Sequence, residues 1–349
     1  MWNKPMPKRP VVAVAGATGA VGQEFLKVLH DLDFPASKVI ALASARSAGK
    51  KVRFEGCGDV EAGELEVQEM TPESFEGVDI ALFSAGASVS KQMRDAVIKA
   101  GAVMIDNSSA FRMDEDVPLV VPEVNPDDVL WHSGVIANPN CSTIQMVVAL
   151  KPLYDLSRIK RVIVSTYQAA SGAGAPAMAE LYDQTREFLD GKSDDELTIS
   201  AFAHRIAFNC IPHIDVFLDD GSTKEEWKMV VETKKIMGDD DLDVFATCVR
   251  VPVLRCHGEA INVEFADEVS VEDARRALEA APGIVVMDDP ASNAYPMPGL
   301  LATTDSTYVG RLRKDPSVEH GLAFWDVADQ IRKGAALNAV QIAQLLLPH

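Results

Sequence analysis

The sequence predicts an α/β protein of two domains, and three observations support this. The chain is 349 residues long, which exceeds the usual size of a single hydrophobic core. Residues 11–15 form a continuous apolar run before a glycine-rich turn, the pattern of a parallel strand buried on both faces. Apolar runs at residues 39–43, 78–83 and 102–105 repeat this pattern, as expected of a parallel sheet.

The composition is that of a globular protein. Contents of 47% hydrophobic and 24% charged residues leave little room for disorder, and no apolar run reaches the roughly 18 residues that span a bilayer. A formal net charge of −19 argues against nucleic acid as a partner, although it does not exclude a small phosphorylated substrate. Residues 1–9 lack the apolar stretch of a secretory signal, so we expect a cytoplasmic protein without membrane contact.

The first predicted strand is joined to a helix over residues 23–29 by a glycine-rich turn. Glycines let the backbone approach a pyrophosphate, and the N-terminus of the helix attracts it. The spacing is GxxGxxG, which differs from the GxGxxG of the usual fingerprint. The flanking strand and helix nevertheless predict a dinucleotide site of the Rossmann type, formed by Gly16, Thr18, Gly19, Ala20, Val21 and Gly22.

The second predicted strand ends in Ser44-Ala45-Arg46-Ser47, where NAD-selective sites place an acidic residue on the ribose 2′-hydroxyl. Two hydroxyls and a guanidinium suit a 2′-phosphate, so this segment predicts NADP as the cofactor. A solvated loop arginine is the alternative. Ser84 follows the strand over 78–83 and is expected to line the same crevice, because ligands collect at the carboxyl ends of parallel strands.

Arg112 lies just beyond the loop that follows the predicted strand 102–105. It could pair with Asp114 or Asp116, both close in sequence. Its position next to a cleft loop also makes it a candidate for binding an anionic group of a substrate.

Cys141 is the candidate nucleophile. Asn138-Pro139-Asn140 predicts a loop, and residues 142–150 predict a helix with Asn140 as its N-cap and Cys141 in its first turn. Unpaired backbone N–H groups and the positive helix dipole there favour a thiolate and can hold an oxyanion. A small buried cysteine without a catalytic role is the alternative.

The other cysteines are Cys57, Cys210, Cys248 and Cys256. Their spacing matches no disulfide framework and no zinc site, which predicts reduced thiols and no metal.

The second half of the chain supplies further polar candidates. A predicted strand over residues 162–167 leads into a flexible loop, where Gln168 is placed to contact a substrate, and then into a helix over 176–189. A helix beginning near residue 223 places Glu225 and Lys228 one turn apart, a spacing typical of a weak surface pair.

Residues 248–257 read as one strand-like segment, in which strict alternation puts Arg250 and His257 on opposite faces unless Pro252 introduces a bend. A lone histidine is more often structural, but a thiol nucleophile is most often activated by histidine. Residues 325–347 predict one long helix with Asn338 near its middle.

Seven segments together resemble the aspartate-semialdehyde dehydrogenase family, in order and over nearly the whole chain. They are GATGAVG, SARSAGK, NPNCSTIQM, QAASGAG, EEWKMVVETKKI, RVPVLRCHGEA and RKGAALNAVQI. The resemblance implies an NADPH-dependent reduction of L-aspartyl 4-phosphate to L-aspartate 4-semialdehyde, with release of phosphate. This reaction belongs to lysine, threonine, methionine and diaminopimelate biosynthesis.

The resemblance also implies roles for individual residues. Cys141 would form an acyl-thioester, His257 would act as general acid/base, and Gln168 would position the substrate. The implied substrate contacts are Arg250 for the α-carboxylate, Glu225 for the amino group, Arg112 and Lys228 for the phosphate, and Asn140 beside the thiol. The implied cofactor contacts are Thr18 to Val21, Arg46, Ser47, Ser171, Gly172 and Asn338.

The fold implied by the resemblance is a Rossmann-type domain over residues 1–140, completed by residues 326–349. An α+β catalytic and dimerisation domain similar to that of glyceraldehyde-phosphate dehydrogenase would cover residues 141–325, giving a homodimer or a dimer of dimers. N-acetyl-glutamyl-phosphate reductase is the alternative within the same chemistry, and Glu225 and Arg250 argue against it, because a free ammonium needs a carboxylate partner. A non-catalytic NADP-binding protein on the same scaffold is the alternative from another class.

Overall fold

The computed structural model describes residue 2 and residues 4–348, which fold into two compact units. The first unit extends to Asn140 and resumes at Gly334, and the second unit spans Cys141–Lys333. Among the described residues, no helix has the length and apolar character that crossing a membrane requires.

The strands and helices are numbered along the chain. Those of the first unit are β1 (Val11–Ala15), α1 (Ala20–Asp31), β2 (Lys38–Ala43), β3 (Lys51–Phe54), β4 (Gly63–Glu66), β5 (Gln68–Glu69), β6 (Ile80–Phe83), α2 (Ala87–Lys99), β7 (Val103–Asp106) and β8 (Val135–Ala137). Those of the second unit are α3 (Cys141–Tyr154), β9 (Ile159–Gln168), α4 (Ala175–Leu189), α5 (Lys224–Met237), β10 (Asp243–Arg250), β11 (His257–Phe265), α6 (Val271–Ala280), β12 (Ile284–Val286), β13 (Thr307–Asp315) and β14 (Gly321–Ala328). The last helix, α7 (Leu337–Leu345), belongs to the first unit.

The first unit contains a wholly parallel sheet in the order β5-β2-β1-β6-β7-β8. The chain runs outward from β1 in one direction, then returns to β6 and runs outward in the other, so the strand order reverses between β1 and β6. This is the topology of a doubly wound dinucleotide-binding domain, and it confirms the predicted fold class. Alternate residues of the sheet, such as Val12 and Val14, share one core with apolar residues of α1 and α7.

The second unit contains a mixed sheet in the order β10-β9-β11-β14-β13-β12. Strands β9 and β10 are parallel, as are β12 and β13, while the central pairings are antiparallel. Helix α3 is buried over residues 142–150 because it packs against the sheet and against helices α5 and α6. A helix that is apolar all round is expected in such a position.

The bend that the sequence left open at Pro252 is present, and one other prediction was wrong about element type. Residues 248–257 form the end of β10 and the start of β11, separated by a bend in which Cys256 has a left-handed φ of 74°. Residues 325–347 are not one helix: Trp325 lies in β14, a π-helical turn spans Arg332–Ala336, and α7 follows. Because β14 is central and buried on both faces, its apolar residues lack the alternation that would have identified a strand.

The glycine-rich turn generates a stability prediction. A Cβ at Gly22 would lie 2.1 Å from the carbonyl oxygen of Gly16, so backbone would have to move. We expect Gly22→Ala to lower the free energy of unfolding, measured with urea, by about 1–3 kcal/mol, the usual cost of overpacking. Gly63→Ala is the matched control, because its Cβ would meet nothing within 4 Å. Equal stability of the two variants would contradict this account of the turn.

Candidate active site

The glycine-rich turn of the first unit fits a pyrophosphate. Gly16 has a φ of 90°, and a Cβ there would lie 2.3 Å from the carbonyl oxygen of Ser84 at the end of β6. Gly19 precedes α1 without a side-chain cap, and the first turn of that helix carries no acidic residue. The backbone N–H groups of this helix N-terminus therefore point to a position suited to an anion.

The loop after β2 places Arg46 in a short 3₁₀ turn, Ala45–Ser47. Ser44 and Arg46 are exposed, and Ser47 is half-buried. Within the described part of the chain, Arg46 forms no ion pair, so its guanidinium is available for a phosphate. The predicted 2′-phosphate contact remains a prediction.

The loop before Cys141 is fixed by buried polar side chains of the first unit. Arg112 donates from Nε to the carbonyl oxygen of Asn138 over 2.9 Å and from Nη2 to that of Asn107 over 3.0 Å. Asn338, which is fully buried, donates from Nδ2 to Asn138 Oδ1 over 2.7 Å. Asn140 is also buried. Arg112 and Asn338 thus support the segment that leads into α3, and their ligand contacts remain predictions.

Cys141 is the first residue of α3, which confirms its predicted place in the first turn of a helix. Its side chain is partly exposed, whereas Cys57, Cys248 and Cys256 are buried. Burial raises the pKa of Cys57 to about 11 and that of Cys256 to about 12, and it raises the pKa of Cys248 further. These three thiols stay protonated, so the helix N-terminus distinguishes Cys141 chemically.

Gln168 is the last residue of β9, rather than part of the following loop, and its side chain is 1% exposed. Its Oε1 accepts from the hydroxyl of Thr166 over 3.0 Å, and its Nε2 donates to Glu225 Oε1 over 3.1 Å. Because both contacts agree on which end is oxygen, the orientation of the amide is fixed, and Nε2 keeps a second N–H for another acceptor.

Glu225 and Lys228 form more than the weak surface pair that their spacing suggests. Glu225 is buried, and Lys228 Nζ donates to Glu225 Oε2 over 3.1 Å and to Asp215 Oδ2 over 2.6 Å. Burial lowers the pKa of Lys228, but Glu225 and Asp215 outweigh this effect, so the net pKa is raised. Asp215 itself has a left-handed φ of 67°, a strained conformation for a non-glycine residue.

Arg250 ends β10 and is buried, with Nη1 donating to the carbonyl oxygen of Ala169 over 2.7 Å. Burial lowers the pKa of this guanidinium, while Glu225 and then Cys141 raise it. Arg250 therefore lies within electrostatic reach of both groups, and its positive charge favours a thiolate at Cys141.

His257 begins β11 and is fully buried. Its Nδ1 accepts from the backbone N–H of Ala169 over 3.0 Å. Burial, and then Arg250, lower the pKa of the imidazole to about 3, so the ring is neutral and carries its proton on Nε2. Within the described residues Nε2 has no hydrogen-bond partner, so the ring keeps one buried N–H donor that is unused.

The bend between β10 and β11 brings Arg250 and His257 to one place. A Cβ at Gly172 would lie 2.7 Å from Arg250 Nη1 and 3.1 Å from His257 Nε2, so only glycine leaves room there. This confirms the bend that Pro252 suggested. Ser171, beside Gly172, accepts a hydrogen bond from Gln330 Nε2. The implied cofactor contacts of Ser171 and Gly172 remain predictions.

Sequence reasoning missed Thr166 and Asp215. Thr166 is two residues from Gln168 on one strand, so strand periodicity could have placed both on the same face. Asp215 lies in an irregular segment before α5, and no sequence pattern identifies its contact with Lys228. Across the described residues, no group of His, Cys, Asp and Glu could hold a metal ion.

Two family models match the chain. The model described as semialdehyde dehydrogenase, NAD binding domain, covers residues 11–132, and the model described as semialdehyde dehydrogenase, dimerisation domain, covers residues 150–333.

Curated proteins and solved structures are similar over nearly the full length. The aspartate-semialdehyde dehydrogenase of Aquifex aeolicus is 56% identical over 96% of this chain and 97% of that protein, and the protein of the same name from Bacillus subtilis is 52% identical over 96% of each. The crystal structure of aspartate semialdehyde dehydrogenase II from Vibrio cholerae, complexed with ASA, has a TM-score of 0.92 at 46% identity, covering 98% of this chain and 99% of that one. The structure from Candida albicans with NADP has a TM-score of 0.73 at 28% identity, covering 97% and 98%.

The neutral state of His257 generates a pH prediction. Its folded pKa is about 3, whereas the unfolded ring titrates near its usual value of 6.5, so only the unfolded chain gains this proton between the two. The free energy of unfolding of the wild type should therefore fall relative to that of His257→Asn as pH decreases from 6.5, by up to about 1.4 kcal/mol per pH unit.

The measurement is urea unfolding at several pH values between 4 and 8. His204→Asn is the matched control, because His204 is exposed, and its unfolding curve should run parallel to that of the wild type. If His257→Asn also runs parallel to the wild type, the ring is not held neutral by the fold.

Proposed function

The chain belongs to the aspartate-semialdehyde dehydrogenase family, and on this premise we propose that it reduces L-aspartyl 4-phosphate to L-aspartate 4-semialdehyde with NADPH, reversibly and with release of phosphate. The similarity over nearly the full length confirms the resemblance given by the sequence motifs. The observation that carries the proposal is the grouping of Cys141, Gln168, Glu225, Arg250 and His257 within the second unit.

The first step is acyl transfer to the thiol. The thiolate of Cys141 attacks the acyl carbon, a C–S bond forms, and the C–O bond to phosphate breaks with its electron pair leaving on phosphate. The helix N-terminus and Arg250 support this step because both favour the thiolate. The product is an acyl-thioester on Cys141.

The second step reduces the thioester. The glycine-rich turn would hold NADPH, which would supply the hydride when bound. As the acyl carbon is reduced, its oxygen becomes negative, and the Nε2–H of neutral His257 is placed to donate a hydrogen bond to it. Collapse of this tetrahedral adduct expels the Cys141 thiolate and leaves the aldehyde, so the oxygen needs no net proton. The resemblance implies that His257 is a general acid/base. In the direction of reduction, we infer that it acts by donating a hydrogen bond.

The substrate is selected by its amino-acid head group. Arg250 offers its remaining N–H groups to a carboxylate, and Glu225 offers buried carboxylate oxygens to an ammonium. An N-acetyl group carries no positive charge, so it could not form an ion pair with the carboxylate of Glu225. This favours aspartate semialdehyde over the N-acetyl-glutamyl substrate of the alternative enzyme. Lys228, which pairs with Glu225, is the candidate in this unit for binding the phosphate.

We also infer that two copies associate through the second unit, which matches the dimerisation-domain model. Exposed apolar side chains of this unit, including Phe217 at 61% and Phe245 at 65%, support such an interface. A catalytic thiolate needs a reducing compartment, and this supports a location in the cytoplasm.

The role of Cys141 is tested by substitution. Cys141→Ala should show no phosphate-dependent reduction of NADP with aspartate semialdehyde, and Cys141→Ser at most a trace, because the covalent route needs the thiolate. Cys210→Ala is the matched control, since Cys210 is exposed and remote in sequence from the motifs; it should keep wild-type activity. Robust turnover by Cys141→Ala would refute the mechanism.

The role of Arg46 is tested by cofactor preference. Arg46→Ala should raise the KM for NADP by about tenfold or more and leave that for NAD unchanged, because a charged hydrogen bond to the 2′-phosphate is lost. Lys50→Ala, in the same exposed loop, is the control and should change the ratio of the two constants much less. An unchanged NADP preference in Arg46→Ala would show that another group reads the 2′-phosphate.

A further inference from the structure

Two buried carboxyl groups that the mechanism does not use lie in the mixed sheet of the second unit. Glu259 and Asp326 are each 0% exposed and are direct partners in the antiparallel register of β11 and β14. Directly opposed side chains have Cβ atoms about 4.5–5.5 Å apart on one face, so the two carboxyl groups face each other. We refer to Glu259 and Asp326 as the acid pair.

Among the described residues, no ion pair is found for the acid pair, and neither oxygen of Glu259 nor Oδ2 of Asp326 has a close hydrogen-bond donor. Burial raises the pKa of Asp326 and that of Glu259 well above their usual ranges, and the neighbouring Asp326 raises the pKa of Glu259 further. The hydroxyl of Ser142 lowers the pKa of Glu259 in part, and the charge of Glu225 raises it by a smaller amount. Two such groups cannot both be ionised at neutral pH.

Gln145 connects the acid pair to the segments that carry Cys141 and His257. The Nε2 of Gln145 donates to Asp326 Oδ1 over 2.8 Å and to the carbonyl oxygen of His257 over 3.3 Å. Gln145 lies four residues after Cys141 on α3, which is one helical turn. One buried amide therefore joins the helix of the thiol, the strand of the imidazole and the acid pair.

We propose that Glu259 and Asp326 hold one proton between them and act as positioning residues, which fix through Gln145 the first turn of α3 on which Cys141 lies. Glu259 donates its O–H to the Asp326 carboxylate, and the other oxygen of Asp326 accepts from Gln145. The charge on Asp326 strengthens this bond, because hydrogen bonds to ionised acceptors are shorter and stronger than neutral ones. This inference rests on the proposed function for its catalytic meaning.

The shared proton is tested by urea unfolding between pH 6 and pH 10. In the unfolded chain both carboxyls are ionised over this range, whereas the folded wild type keeps the shared proton because burial and the neighbouring carboxyl raise the pKa of the pair. The free energy of unfolding of the wild type should therefore fall as pH rises through this range. Glu259→Gln replaces the O–H donor by an N–H donor and removes the shared proton, so its stability should fall less.

Glu264→Gln, on the same strand but paired with Lys160, is the matched control and should follow the wild type. If the curves of Glu259→Gln and the wild type are parallel, the acid pair holds no shared proton. Asp326→Asn gives a second, independent comparison of the same kind, since its amide can donate to a Glu259 carboxylate.

The positioning role is tested by Gln145→Met, which keeps the length of the side chain and removes the donor. We expect kcat to fall about tenfold or more with little change in KM, because a small displacement of a reacting group is costly. The alkylation rate of Cys141 by iodoacetamide, followed on its own peptide by mass spectrometry, should change as well. Glu264→Gln, the control on the same strand as Glu259, should retain the wild-type kcat at pH 7.

Gln145→Met with wild-type kcat and a wild-type alkylation rate would overturn the positioning role. The two proposals fail separately. If the wild type does not turn over aspartate semialdehyde, the proposed function is wrong, while alkylation and pH-dependent unfolding still decide between the outcomes for the acid pair.

Discussion

The chemistry proposed for the second unit depends on a cysteine placed where a buried helix begins. Cys141 is partly exposed at the first residue of α3, and Arg250 is buried within electrostatic reach of it. Neither group alone is sufficient: a buried guanidinium is costly without negative partners, and a thiol at an ordinary pKa is mostly protonated. Each stabilises the charged form of the other. A substrate carboxylate at Arg250 would be a further negative partner for the guanidinium.

The neighbouring side chains continue this pattern, because positive and negative charges alternate along the series. Glu225 lies between the amide of Gln168 and the ammonium of Lys228, and Asp215 completes the series. In the proposed function, the charges of a zwitterionic head group and of an anionic leaving group would each meet an opposite charge that the fold already holds in place. His257 stands apart: it is neutral, and it contributes a directed N–H rather than a charge.

The sequence predicted the doubly wound fold and the place of Cys141 because both depend on local patterns. A buried strand, a glycine turn and a helix N-terminus are each specified within about ten residues. It failed at β14, where long-range sheet pairing decides the structure. The contacts of Asp215, Gln145 and Asp326 were not predictable either, because their partners lie on distant segments that only the folded sheet brings together.

The central claim, an acyl-thioester on Cys141, is tested most directly by trapping it. The enzyme is mixed with aspartate semialdehyde and NADP without phosphate, quenched in acid, digested and analysed by mass spectrometry. The account predicts a burst of NADPH together with an aspartyl group on the peptide that contains Cys141. A burst of NADPH with an unmodified Cys141 peptide, or with the aspartyl group on another cysteine, would contradict it.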